Sequence, residues 1–151
     1  MVRGDIMSRQ MLFRAKSLER DRWIEGYYFY HIKRTPCPFH DWLKEDDQEH
    51  LIICDESGDW NMPTTTLCHI VDKDTVCEYI GRDDINNTEI FEHDIVRCIN
   101  TRDDVEFVGE VQFKDCSFCI VNSFSSNYCW MDYEVEVIGN IFDNPELLRG
   151  V

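Results

Sequence analysis

The sequence predicts a mainly β protein, with a small SH3-like β-barrel in the C-terminal half, a β layer from the N-terminal half and a short helical turn at the C-terminus. Three observations predict it. Short runs of β-branched and aromatic residues recur along the chain, punctuated by Asp, Gly or Pro. Residues 105–113 alternate cleanly: Val105, Phe107, Val111 and Phe113 fall on one face, and Glu106, Glu110 and Gln112 on the other. Helix-forming stretches are scarce.

Taken in order, the first strand signal is the crowd of Tyr27, Tyr28, Phe29, Tyr30 and Ile32. Residues 34–49 contain Pro36, Pro38 and the charged run at 44–49, and read as a long loop or insertion. Segments 50–54, 67–71 and 75–80 are short and β-branched. Strands at 94–99, 105–113, 118–121 and 133–141 have the number and spacing of an SH3-like barrel. In the last of these, Tyr133, Val135 and Val137 alternate with Glu134 and Glu136, and Ile138 breaks phase beside Gly139, which predicts a bulge. Asn144 and Pro145 then suit the cap and first position of a single helical turn carrying Leu147 and Leu148.

The chain has 151 residues, enough for one ordinary domain or two small ones sharing a core. The expected division is 1–80, with an insertion at about 34–66, and 81–151. Hydrophobic residues make up 43% and aromatic residues 13%, which can fill a core. No apolar run approaches the ~18 residues that a membrane span needs. Residues 1–10 lack the apolar segment of a signal peptide, and Met7 or Met11 is an alternative start. A cytoplasmic location is therefore expected. The eight scattered cysteines then read as small hydrophobes in a reducing compartment, with Cys54, Cys68, Cys77 and Cys98 inside apolar runs.

Thirty acidic residues against 15 basic ones give a net charge of −15. Phosphate binding takes clustered Lys and Arg, and here Glu19 and Asp21 interrupt the group Arg14, Lys16, Arg20 and Arg22. Direct binding to nucleic acid or to an anionic membrane is not expected. The charge reads as a solvated surface, or more sharply as an imitation of nucleic acid.

One run stands out: Gly81 to Arg97, GRDDINNTEIFEHDIVR, which reads as a turn, a short apolar link, a second turn and the start of a strand. Three further blocks accompany it: Leu12 to Lys16 (LFRAK), Trp23 to Tyr28 (WIEGYY), and Glu136 to Leu148 (EVIGNIFDNPELL). In this order and spacing they resemble the YopX-like family, whose members are encoded mainly by bacteriophages, prophages and other mobile elements. The resemblance marks Trp23, Gly26, Gly81, Asp84, Asn87, Phe91, Asp94, Gly139, Asn140 and Pro145 as signature positions, structural in character. It implies a fold, a phage setting in a bacterial host cell and assembly into multimers, and no particular chemistry.

Asn87, His93 and Cys116 stand where the family pattern carries Gly. Glycine in turns supplies positive φ. Asn and His tolerate that region best among other residues, so positive φ is expected at Asn87, in a turn joining residues 84 and 89. Cys116 is the poorer substitute, and the 113–118 turn is the one open to a different shape.

The candidate sites are few. Cys37 and His40 have CxxH spacing, and Cys116 and Cys119 have CxxC spacing; together they are candidate zinc ligands. The resemblance argues against a zinc site: it implies a hairpin turn at Cys116, the following strand at Cys119 and no ligand pattern at the matching family positions. A thioredoxin-like role is weaker still, since that motif opens a helix. Glu89, Glu92 and Asp94, joined by Asp83 and Asp84, could bind metal or do acid–base work, but turn chemistry is favoured. The histidines at 31, 40, 50, 69 and 93 show neither HxH nor HExxH spacing. Trp23, Trp42, Trp60 and Trp130 read as core or interface.

No catalytic residue, cofactor or metal is therefore assigned. The expected function is a phage-associated, non-catalytic oligomeric interaction module, with Tyr27 to Ile32 as its contact strand and a host protein as a candidate further partner. The alternative is an acidic nucleic-acid mimic that inhibits a host enzyme; a metal-dependent enzyme ranks below both.

Overall fold

The computed structural model describes residues 10–39, 41–56 and 58–148. Its strands lie in antiparallel sheets, and neither sheet closes into a barrel. Two compact units emerge, one spanning Met11–Cys77 and the other running on from Glu78.

In the first unit, β1 (Phe13–Lys16), β2 (Trp23–Ile32), β3 (Gln48–Glu56) and β4 (Thr65–Ile70) pair antiparallel in the order β4-β3-β2-β1. Ala15, Ile24, Ile52 and Val71 form its buried core, with Phe13, Tyr28, Cys54 and Val76 packed against it. Close strand approach explains Gly26. A Cβ there would lie 2.3 Å from the carbonyl oxygen of Ile53, a backbone atom that cannot swing away. The same strand carries exposed Tyr27, Phe29, Tyr30 and Ile32, as its surplus of apolar residues implied. β3 pairs with Tyr27–Ile32, whereas β1 pairs only with Trp23–Gly26, so β1 does not cover the side of Tyr27–Ile32 that faces away from β3.

The expected insertion at 34–66 is only partly loop. Its apolar run 50–54 lies inside β3, preceded by a 3-10 turn at Glu45–Asp47. Arg34 anchors the preceding loop: its guanidinium donates to both carboxylate oxygens of Asp41 and, at 2.9 Å, to Asp47. Those hydrogen bonds hold both carboxyls below the usual range.

In the second unit, β5 (Cys77–Asp83, its first residue belonging to the other unit) and β6 (Glu89–Phe91) pair antiparallel, so the apolar link of the sequence is itself a short strand. β7 (Asp94–Asn100), β8 (Glu106–Lys114), β9 (Ser117–Val121), β10 (Ser126–Asn127) and β11 (Tyr133–Asn140) form a sheet ordered β10-β9-β8-β7-β11. Ile90, Val96, Cys98, Val111, Ile120 and Val135 are its buried core. Phe107, Tyr133 and Val137 pack against that core, so the alternation in β8 and β11 points as the pattern predicts. Val105 and Phe113, at the ends of the β8 pattern, are nonetheless exposed. The register slips between Val137 and Gly139, where the bulge was expected. Pro145–Leu148 forms a 3-10 turn.

The SH3-like barrel expected here does not close, for a physical reason. β10 is two residues long, too short to reach round to β11. The outer edge of β11 is moreover occupied by side chains and backbone from residues 82–85.

Candidate functional site

The signature residues build a corner against β11. Asp84 is its hub. It is 8% exposed, and its carboxylate accepts hydrogen bonds from the amides of Asn86 at 2.7 Å, Thr88 at 2.9 Å and Val137 at 3.0 Å. Burial works to raise its pKa, but the amides of Thr88, Val137 and Asn86 outweigh it and hold the carboxyl below its ordinary value. The first two contacts shape the turn. The third reaches across to the sheet edge.

Its neighbours complete the cover. The Ile85 amide donates to the Val135 carbonyl at 3.0 Å, and the Arg82 guanidinium to the carbonyls of Trp130 at 2.7 Å and Tyr133 at 3.3 Å. Outward-facing groups at 133, 135 and 137 are thereby met, as a neighbouring strand would meet them, which blunts the edge. At the opposite side of this sheet the Trp130 indole donates to the Phe118 carbonyl at 3.0 Å, beside the short β10.

Turn geometry follows the expectation at Asn87. Its φ is 61°, the Asn87 amide bonds the Asp84 carbonyl, and the Asp84 amide bonds the Thr88 carbonyl. Gly81 has φ 86° where β5 and β6 slip register. Phe91 is buried, and its amide donates to the carboxylate of Asp94, itself 1% exposed, at 2.8 Å. His93 adopts φ 65°, and its Nδ1 lies 2.8 Å from Glu110, whose second oxygen accepts from Gln112. Burial raises the Glu110 pKa, but the bonds to His93 and Gln112 prevail and hold it low.

Asp115 and Cys116 have φ values of 49° and 63°, between Lys114 and Ser117, which pair. This is a two-residue hairpin of the type that needs positive φ at both central positions. Cys116 therefore takes the glycine-like geometry despite its side chain. At the C-terminal end, a Cβ on Gly139 would meet Asn144 Oδ1 at 2.7 Å and Leu147 Cδ1 at 2.9 Å. Asn140 turns the chain back by accepting from the amides of Phe142 and Asp143, ahead of Pro145. In the first unit, Trp23 sits beneath two cations, with Arg14 Cζ 4.9 Å and Lys16 Nζ 5.4 Å from its ring centre.

The acidic group at 83–94 is thus distributed over bonding tasks. Asp83 accepts from the Tyr79 hydroxyl at 2.6 Å, Glu92 from the Phe113 amide at 3.4 Å, and Asp84 and Asp94 from backbone amides. Of the zinc candidates, Cys37 is exposed, with its amide bonded to Asp41; Cys116 is exposed and Cys119 buried; His40 lies outside the described residues. Among the described residues no group of three or more His, Cys, Asp or Glu is arranged to hold a metal ion.

Open grooves among the described residues include the following two. One of about 390 Å³ is lined by Glu106, Val108, Glu110, Val121, Phe124 and Leu148 among others. Glu110 there is engaged by His93, and Glu106 lies 3.3 Å from Arg97. The other, about 550 Å³, includes Lys33, Glu45, Glu49 and Lys73, which pair as Lys33–Glu49 and Lys73–Glu45. Sequence reasoning missed the cover supplied by Arg82 and Trp130 and the His93–Glu110 pair. No local pattern signals bonds between residues so far apart in the chain. Among the described residues no helix is long and apolar enough to cross a membrane.

The model of the YopX protein family matches residues 12–149. The chain is 30% identical over 117 residues to the SPbeta prophage-derived uncharacterized protein YopX of Bacillus subtilis (strain 168), a stretch covering 70% of this chain and 87% of that protein. The crystal structure of protein EF1440 from Enterococcus faecalis is similar with a TM-score of 0.46 and 23% identity, covering 93% of this chain and 99% of that one. From the blocks around Trp23, Asp84 and Gly139 to the matched span of residues 12–149, this chain belongs to the YopX family.

Proposed function

We propose that the protein is a non-catalytic interaction module of a phage or prophage, acting in the cytoplasm of the bacterial host and associating with itself. The carrying observation is a contrast. The polar signature groups are turned onto backbone amides and carbonyls, while large apolar side chains stand in solvent: Trp60 is 94% exposed, Met131 89% and Phe124 88%. A catalytic site would aim such polar groups into a cavity. Exposed aromatics and Met are instead what contact surfaces use.

A second reading has its own observation. Residues 78–151 hold sixteen Asp and Glu against five Lys and Arg, so the acidity is concentrated in one part of the chain. That distribution favours occupation of a basic groove on a host nucleic-acid enzyme, as a mimic would do.

Light scattering on purified protein tests the first reading, which expects a mass above the monomer that rises with concentration. A single monomer mass at every concentration sinks it. Pull-down from nuclease-treated host lysate tests the second. Recovery of a nucleic-acid enzyme supports mimicry, and recovery that depends on intact nucleic acid refutes it.

A further inference from the structure

We propose that two copies of this chain join edge to edge through β4, antiparallel about a two-fold axis at Leu67. The proposal rests on the self-association reading above and names the surface that carries it.

The edge is open. Val71 donates its amide to the His50 carbonyl at 2.9 Å, which fixes the alternation of the β3–β4 ladder. Leu67 and His69 then turn their backbone groups toward β3, and Thr66, Cys68 and Ile70 turn theirs outward. The Ile70 carbonyl is taken by the Leu18 amide at 3.0 Å. Among the described residues no hydrogen bond reaches the outward backbone groups of Thr66 and Cys68. The free sides of β11 and β9 differ, being covered by Arg82, Asp84 and Ile85, and by Trp130 and β10.

The edge also lacks the devices that normally discourage pairing. Thr65–Ile70 contains no Lys, Arg, Asp, Glu or Pro. In a chain of net charge −15, the whole stretch 60–71 carries no ionised side chain apart from any charge on His69. Copies can meet here without juxtaposing carboxylates.

The occupant is a second copy because the register is self-complementary. With the axis at Leu67, Thr66 of one copy lies opposite Cys68 of the other, and each pair exchanges both backbone hydrogen bonds. Leu67 faces its own counterpart. The ladder stops in matching places. Beyond His69 the outer side is filled by Leu18, bonded at Ile70; the strand of the second copy leaves at its own Thr65, just after Pro63. At each end of the joint Leu18, 65% exposed and bonded at Ile70, stands where the strand of the second copy departs.

The test uses the full chain. Thr66→Pro removes one outward donor and spares the backbone bonds to β3, losing toward that strand only the exposed bond from the Thr66 hydroxyl to Asp55, a position where an edge strand accepts proline. The apparent dissociation constant of the assembly is expected to rise at least about tenfold, with the circular dichroism spectrum and melting temperature close to those of the parent. As a second measurement, Leu67→Cys is oxidised mildly in a background where Ser replaces Cys37, Cys54, Cys68, Cys116 and Cys129, because Cys54 lies opposite residue 67 on β3 and three of the others are exposed thiols away from the joint. Residues facing across a non-hydrogen-bonded pair have Cα atoms about 4.5 Å apart, within disulfide reach, so a cross-linked dimer is expected. Phe29→Cys in the same background should not cross-link. If the parent assembles but Thr66→Pro assembles equally well and Leu67→Cys stays uncross-linked, β4 is not the joint and self-association stands. If the parent is a monomer at every concentration, the broader reading fails as well.

Discussion

Replacing Asp84 by Ala should remove about 3 kcal/mol of stability, a sum that follows from its three contacts. The amides of Asn86 and Thr88 lie in a turn that water can reach, so losing their acceptor costs about 0.5–1 kcal/mol each. The Val137 amide is different. It sits on the covered edge of β11, and without the carboxylate a half-buried donor is left unmet, worth about 1–3 kcal/mol. Asp84→Asn keeps one acceptor but turns an NH₂ toward one of the donors, and about 1–2 kcal/mol should be lost. Urea unfolding at neutral pH reads both values, with Glu134→Ala as the exposed comparison. The order Ala worse than Asn worse than Glu134→Ala, at unchanged denaturant slope, is expected. The pH dependence adds a check. The folded carboxyl titrates below its ordinary value of about 3.9, so its contribution is complete above that pH and is lost as pH falls through the folded pKa. Parent and Asn variant should converge in strong acid. A loss below about 0.5 kcal/mol for Asp84→Ala at neutral pH, the scale of an ordinary surface change, would refute the hub argument.

Cys116→Gly should stabilise the protein by about 0.5–1 kcal/mol, because relief of a left-handed residue exceeds the extra entropy of glycine in the unfolded chain; Cys116→Ala, measured alongside by urea midpoint, should gain nothing. Gly26→Ala forces a Cβ against the Ile53 carbonyl and should cost about 1–3 kcal/mol in the same assay; a neutral result would mean that β2 and β3 can part. Glu110 has a depressed folded pKa, so its contribution holds above about pH 4.3 and disappears as pH falls through the folded value. Glu110→Gln should therefore flatten the acid limb of a plot of melting temperature against pH, and an unchanged limb would count against the pair. Ellman's reagent should label Cys37, Cys68 and Cys116 quickly in the native protein, Cys129 more slowly because its hydrogen bond to Asp132 pushes the thiol up, and Cys77, Cys98 and Cys119 only on unfolding, since burial also pushes the Cys98 thiol up to about 12.

Strand identity was legible wherever one face is buried. Val111 and Val135 show it: period-two alternation survives because the opposite face carries Glu, and the structure buries both. The bulge at Gly139 and positive φ at Asn87 were legible because backbone geometry restricts residue type locally. Closure of the C-terminal sheet was not. Whether β10 extends far enough to meet β11 depends on Trp130 and Arg82 occupying carbonyls 12 to 51 residues away, and no local pattern encodes such bonds. The corner was half legible. Asp84 reads as a turn residue, which it is, but its bond to Val137 spans 53 positions.

That long bond changes what the signature run means. A turn alone would need one Asx acceptor and a residue tolerant of positive φ, and many sequences supply those. Here Arg82, Asp84 and Ile85 present a donor pair, an acceptor and a backbone amide at the spacing of β11's outward groups, so the run serves as a substitute strand. The signature thereby closes an edge that would otherwise invite pairing, while β4 has no equivalent cover. Edges closed by dedicated side chains in the second unit contrast with the uncharged open edge of β4 in the first. Removing the cover should therefore create a further place for pairing: Arg82→Ala combined with Asp84→Ala exposes the β11 edge, and the double variant should form larger assemblies than the parent even at equal folded content. Light scattering at matched circular dichroism decides it, and an unchanged mass would show that the run shapes a turn and protects nothing.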